Sequence, residues 1–216
     1  MCIKYLLISD ITLLFANLRG EGIMRIGKIW RHLKILVCGS VILLSACATG
    51  SDTYIDPNMD FGAIKTIAVM PFTSLTRDAV TAERVRDVFI NKLLSTGAVY
   101  VLPTGEVARG VGRAEVQNSA APSGEEAIKL GGIIKVQAII TGVVREYGEA
   151  RSGAVSANII SISLQMIETQ TGKIVWTASS TKGGISLWDR LFGGGGQPMN
   201  TITEKAVNDL INKLFK

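Results

Sequence analysis

From Ile64 onward the chain alternates between short apolar runs and amphipathic stretches. Lys65–Pro71 (KTIAVMP) is a β-rich apolar run closed by proline, the pattern of a strand buried on both faces. Between Asp78 and Thr96, Val85, Val88, Phe89 and Leu93 recur at helical spacing, with Glu83, Arg84, Arg86, Asp87 and Lys92 mostly opposite them and Gly97 as a stop. Ala98–Leu102 (AVYVL), closed by Pro103, predicts a second strand, joined to the first by a right-handed crossover. Ser123-Gly124-Glu125-Glu126, behind Pro122, spells a capping box, because the serine and the glutamate three residues on can satisfy each other's free amides. The helix it opens runs to about Ile134.

Gln137–Tyr147 (QAIITGVVREY) reads as the next strand, and Gly148–Gly153 as a turn region. Val155–Ile167 then alternates: Ile160, Ile162, Leu164 and Met166 face one way, and Ser161, Ser163 and Gln165 the other. That is a half-buried antiparallel strand. Thr171-Gly172 turns the chain into Lys173–Thr181, where Ile174, Trp176 and Ala178 share a face. Thr201-Ile202-Thr203-Glu204 spells a second capping box, ahead of a stripe formed by Ile202, Ala206, Val207, Leu210, Ile211 and Leu214. The order β-α-β-α-α-β-β-β-α predicts an α/β (α+β) fold, a mixed sheet with helices packed on it.

The amino-terminal part has a different grammar. From Met24 a cationic segment (Arg25, Lys28, Arg31, Lys34) precedes an uncharged run of 12 residues, Ile35 to Ala46. This is the layout of a secretory signal, and it falls short of the roughly 20 residues of a bilayer-spanning helix. It ends in Leu44-Ser45-Ala46-Cys47, which resembles the bacterial lipobox at all four positions. The resemblance implies cleavage after Ala46 and a diacylglycerol and an N-acyl chain on Cys47, whose several acyl chains hold far better than one; the competing reading is a buried cysteine ending an uncleaved helix. Ala48, rather than aspartate, follows the cysteine, which by the same analogy points to the outer membrane. Residues 1–23 hold a second apolar stretch broken by Asp10, so translation starts at Met24 or the leader is unusually long. Residues 1–46 are thus expected as leader, 47–60 as a lipidated polar tether spanning roughly 20 Å, and 61–216 as one domain.

Removing the leader changes the electrostatics. Six basic and two acidic residues leave with it, so 17 of 23 basic and 16 of 18 acidic side chains remain on 170 residues. A net charge near +1 argues against nucleic-acid binding. His32, the only histidine, and Cys2 and Cys38 all lie in the leader. A mature chain without histidine, and with Cys47 as its one thiol, has no Ser-His-Asp triad, no Cys-His pair and no Cys/His zinc site. No metal, nucleotide or other non-covalent cofactor is expected.

The runs IAVMPF (Ile67–Phe72), ITGVVREY (Ile140–Tyr147) and TGKIVW (Thr171–Trp176) together resemble the periplasmic domain shared by CsgG-like lipoproteins, LpoB-like activators of penicillin-binding proteins and the TolB amino-terminal domain. The resemblance covers about Ile64 to Lys216. It implies a non-enzymatic lipoprotein of a Gram-negative envelope, anchored in the outer membrane, facing the periplasm, and working on another envelope protein such as a peptidoglycan synthase. A CsgG-like homo-oligomer forming a secretion channel is the alternative the resemblance leaves, although the hairpin candidates here have short turns.

Other features are weighed on their chemistry. Trp188, Leu191 and Phe192, beside the glycines at 193–196, are candidates for partner or membrane contact, or for cover over the sheet. The tetraglycine lacks the Lys and Ser/Thr of a phosphate loop. Arg109–Arg113 could touch anions but reads rather as a solvated loop after a short helix, and Glu125 and Glu126 suit capping rather than shared acid/base work. Asn158 and Ser161–Ser163 supply a polar sheet face, to be covered by a helix or left open for a partner.

Overall fold

The structure, a computed structural model, describes residues 53–78, 80–153, 155–185 and 196–215. Its strands are β1 (Thr53–Ile55), β2 (Thr66–Val69), β3 (Thr73–Ser74), β4 (Tyr100–Val101), β5 (Ala138–Ser152), β6 (Val155–Glu168) and β7 (Ile174–Gly183). Its helices are α1 (Val80–Thr96), α2 (Thr104–Ala114), α3 (Gly124–Ile134) and α4 (Met199–Leu214). One mixed sheet of seven strands has the order β1-β7-β6-β5-β2-β4, with β3 beside β5. β2 runs parallel to β4 and β5, whereas β5, β6, β7 and β1 are successively antiparallel. The expected element order is therefore present, with β1 and β3 added.

Helices pack on both faces. Ile67 and Val69 belong to the core beneath α1 and α4, together with Phe89, Leu93, Val207 and Leu210. Ala68 and Met70 belong to a smaller core beneath α2 and α3, with Val107, Leu130, Ile139 and Ile167. A strand whose alternate residues enter two cores needs apolar side chains throughout, which is why KTIAVMP shows no polar alternation. Ile160, Ile162, Leu164 and Met166 all join the larger core, as their spacing requires.

Local chemistry sets the ends. Asp78 starts α1, its carboxylate accepting from the Val80 N–H at 3.0 Å and the Thr81 hydroxyl at 3.1 Å. Gly97 stops it with φ of +63°. The Ser123 capping box is formed on both sides.

Several expectations need correction. The expected tether segment carries β1, whose Thr53, Tyr54 and Ile55 pair with Ala178, Thr177 and Trp176. Three residues are too few to show a period, yet they close an otherwise unpaired edge of β7. Arg109–Arg113 lies inside α2 rather than in a loop, because Gly110 lets α2 approach Ile134 and Leu130 of α3 closely. The second capping box is not used: α4 begins at Met199, two residues before Thr201, with Pro198 at its cap and the Thr203 hydroxyl donating back to the Met199 carbonyl at 2.8 Å. Finally, Ile174 is 45% exposed and leaves the face of Trp176 and Ala178. The pairing Ile167↔Ile174 followed by Met166↔Trp176 makes Val175 an extra, bulged residue.

Candidate functional site

The face of β5, β6 and β7 opposite the larger core carries hydroxyl and amide groups. Cross-strand register places Thr141, Gln165, Thr177 and Tyr54 in one row and Val143, Ser163 and Ser179 in the next. Thr181 and Ser161 follow, joined by a hydroxyl contact of 3.0 Å. The odd-numbered polar positions of β6 thus meet polar partners on β7, and Gln165 and Ser161 meet them on β5 as well, whereas Ser163 faces Val143 there. α2 and α3 cover Ala68, Met70, Ile139 and Ile167, and beyond them this face opens into a groove of about 360 Å³. The sequence left this face either covered or free; along the groove Ser163, Gln165, Thr177 and Ser179 are half-buried, and Thr141 is buried.

Arg145 is the one charged residue in the groove lining. It is also the bulged residue of β5, between the pairs Val144↔Ile162 and Glu146↔Ser161. A bulge re-aims a side chain without ending the strand, and here it sets a guanidinium at the groove, next to Glu146, which pairs with Ser161 on the same face.

One wall of the groove is the loop after α2, at Ala120 and Ala121. Glu126 on the first turn of α3 holds that loop: its carboxylate accepts from the Gln117 N–H at 2.7 Å and, through the other oxygen, from the Ser123 N–H at 2.7 Å. These two amides, Gln117 foremost, keep the Glu126 carboxyl below its ordinary value of 4.5. Asn118 adds a turn inside the loop, its side-chain oxygen accepting from Ala120 N–H at 3.1 Å. The capping box visible in the sequence therefore fixes a wall of the site as well as a helix end. Its reach to Gln117, nine residues before the glutamate, carries no sequence signal.

The chemistry of this face is that of recognition. Its hydroxyls and the Gln165 amide both donate and accept hydrogen bonds, and Arg145 adds a fork of donors for a carboxylate. Among the described residues no three His, Cys, Asp or Glu side chains gather into a metal-binding group. No helix among them is long and apolar enough to cross a membrane.

Leu44, Ser45, Ala46 and Cys47, and likewise Trp188, Leu191 and Phe192, lie outside the described residues. Of the sheet-face candidates, Ser161 and Ser163 stand on the open face, whereas the Asn158 amide donates to the Gln197 carbonyl at 2.9 Å and ties β6 to the start of α4. Glu125 and Glu126 both sit in the first turn of α3, and it is Glu126 that caps. β5 continues through Gly148–Ser152, so that expected turn region is the stem of a long β5–β6 hairpin. The row through Tyr54 was not foreseen, since β1 itself was not.

A family model described as the peptidoglycan-synthase activator LpoB matches residues 52–181. No curated protein matches the chain. Among solved structures, the PelC dodecamer from Paraburkholderia phytofirmans is similar in two crystal forms, with TM-scores of 0.51 and 0.50 at 15% identity, covering 75% of this chain and 94% of that one. The lipoprotein GNA1162 from Neisseria meningitidis is similar with a TM-score of 0.47 at 22% identity, covering 68% of this chain and 99% of that one. The LpoB carboxy-terminal domain from Escherichia coli has a TM-score of 0.43 at 11% identity, covering 66% of this chain and 93% of that one. The PelC likeness concerns fold alone. Of the three resemblances read in the sequence, the family match supports the LpoB one.

Proposed function

This chain belongs to the LpoB family of peptidoglycan-synthase activators, and from that premise we propose that it stimulates a peptidoglycan synthase by direct contact, from a lipid anchor on the periplasmic side of the outer membrane. The family's role is to activate an enzyme, so the chain is not itself an enzyme and its work is protein contact in the envelope. The observation that carries the reading is the span of the match, which takes in β1 through nearly all of β7 and so contains every row of the open polar face. That face offers hydrogen-bonding groups at fixed spacing, which suits the polar part of a protein interface. The lipobox at Leu44–Cys47 and Ala48 after it support the anchor and its membrane.

The test is reconstitution of the mature lipoprotein with a peptidoglycan synthase and its lipid-linked substrate. A saturable rise in the rate of glycan polymerisation or cross-linking is expected. No rise at a tenfold molar excess contradicts the proposal. For the anchor, Cys47→Ala should leave an uncut, unacylated precursor with a folded domain, read by intact mass and circular dichroism.

A further inference from the structure

β1 shortens the leash that an acylated Cys47 leaves to the domain. Thr53–Ile55 is paired into the sheet edge, so only Ala48–Asp52 separates the cysteine from the fold. Six Cα steps of about 3.3–3.6 Å cap the reach at about 20 Å. A domain held so closely presents one end to the bilayer, and the register of the strands decides which.

Thr53 stands level with Ala178, Leu164 and Gly142. The tip of the β5–β6 hairpin, at Ser152, lies ten residues further along β5, or about 30 Å at 3.3 Å per residue. That exceeds the leash. The hairpin tip is also polar, with Arg151 paired to Glu149 at 2.9 Å. Because β1 runs antiparallel to β5, its amino-terminal end faces the tip's side, and a bilayer within the leash on that side would have to take in this polar tip.

The opposite direction meets an apolar groove two residues on. Ile55, Phe61, Ile64, Leu214 and Phe215 line about 460 Å³ there, and Lys65 stands at the same place. Ile55 is 44% and Phe215 46% exposed, and Lys65 is exposed beside them. An apolar pair next to an ammonium matches the boundary between acyl chains and phosphate headgroups.

We propose that this end of the domain, at Ile55 and Phe215, rests on the bilayer that holds Cys47. The proposal rests on the reading of Cys47 as acylated. It leaves the polar face upright, with Tyr54 at its lower margin, facing partners that come to the membrane rather than reaching across the periplasm.

The mature lipoprotein is reconstituted into phosphatidylethanolamine–phosphatidylglycerol vesicles containing acyl-brominated lipid. An environment-sensitive fluorophore is attached at Ile55→Cys, Phe215→Cys or Arg151→Cys, the thioether of Cys47 being unreactive. Flotation with the vesicles is read first, and protein that does not float fails the acylation reading and the proposal with it. In floated protein, quenching several-fold stronger at 55 and 215 than at 151 is expected. Equal quenching at all three sites, or quenching at 151 alone, overturns the proposal while leaving the anchor standing.

Discussion

Replacing Trp176 by phenylalanine tests how α4 is fastened to the sheet. Trp176 is fully buried in the larger core, and its indole N–H donates to the Lys213 carbonyl at 3.2 Å. That carbonyl belongs to the last turn of α4, where a helix has no internal donors left. Phenylalanine lacks the donor, which costs about 1 kcal/mol. It also vacates about 40 Å³, worth about 1 kcal/mol at roughly 24 cal/mol per Å³ of cavity. The sum, about 2 kcal/mol, lowers Tm by about 4–8 °C for a domain of this size. Alanine at the same place should cost about 3–5 kcal/mol. Far-UV circular dichroism melts and urea titrations at an unchanged m-value measure both. W176F melting within about 1 °C of the parent, or W176A no less stable than W176F, would refute the role given to the indole.

Three further outcomes follow from named contacts. In Glu126→Gln the amides of Gln117 and Ser123 should exchange faster with deuterated solvent. Because those amides depress the Glu126 carboxyl in the folded state, its contribution is present above pH 4.5 and fades as pH falls below it, and the variant should lack that part of the acid limb. Asp209 is pulled upward by burial, but the Ser180 hydroxyl and the ammonium groups of Lys213 and Lys182 outweigh this and hold it below its ordinary 3.8. Asp209→Asn should therefore cost about 1 kcal/mol at neutral pH and nothing once pH falls below the depressed value, as read from urea midpoints across the acid range. Thr169→Val removes a buried hydroxyl that donates to the Val136 carbonyl at 2.6 Å, and it should cost about 1–2 kcal/mol in the same titration.

Elements that satisfy one strong periodicity were legible in the sequence. The alternation of Ile160 to Met166 and the unbroken apolar run of β2 each state which sides are buried, and Ser123 with Glu126 states where a helix starts. What stayed hidden depends on partners far along the chain. β1 exists because β7 has an edge to cover, and nothing within Thr53–Ile55 announces that. Gly105, Gly110 and Gly112 lower the helical signal of α2, while in the fold Gly110 is where Ile134 comes close. The hairpin stem has no apolar alternation to read, because Gly148 to Arg151 are all at least partly exposed. Thr201–Glu204 satisfied a local rule that lost to an earlier start, where Met199 packs against the core. The polar face was visible as Ser161 and Ser163, but its extent needed the registers of β1 and β7.

The most direct test of the central claim separates contact from stability on that face. Thr177→Lys with Ser163→Lys places two long stems on a surface where the ammonium groups can reach water, so the melt should stay within a few degrees of the parent. The account predicts that stimulation of the peptidoglycan synthase then needs at least tenfold more protein, a loss of about 1.4 kcal/mol or more in binding. Full stimulation at parental concentrations by the folded double variant would contradict it.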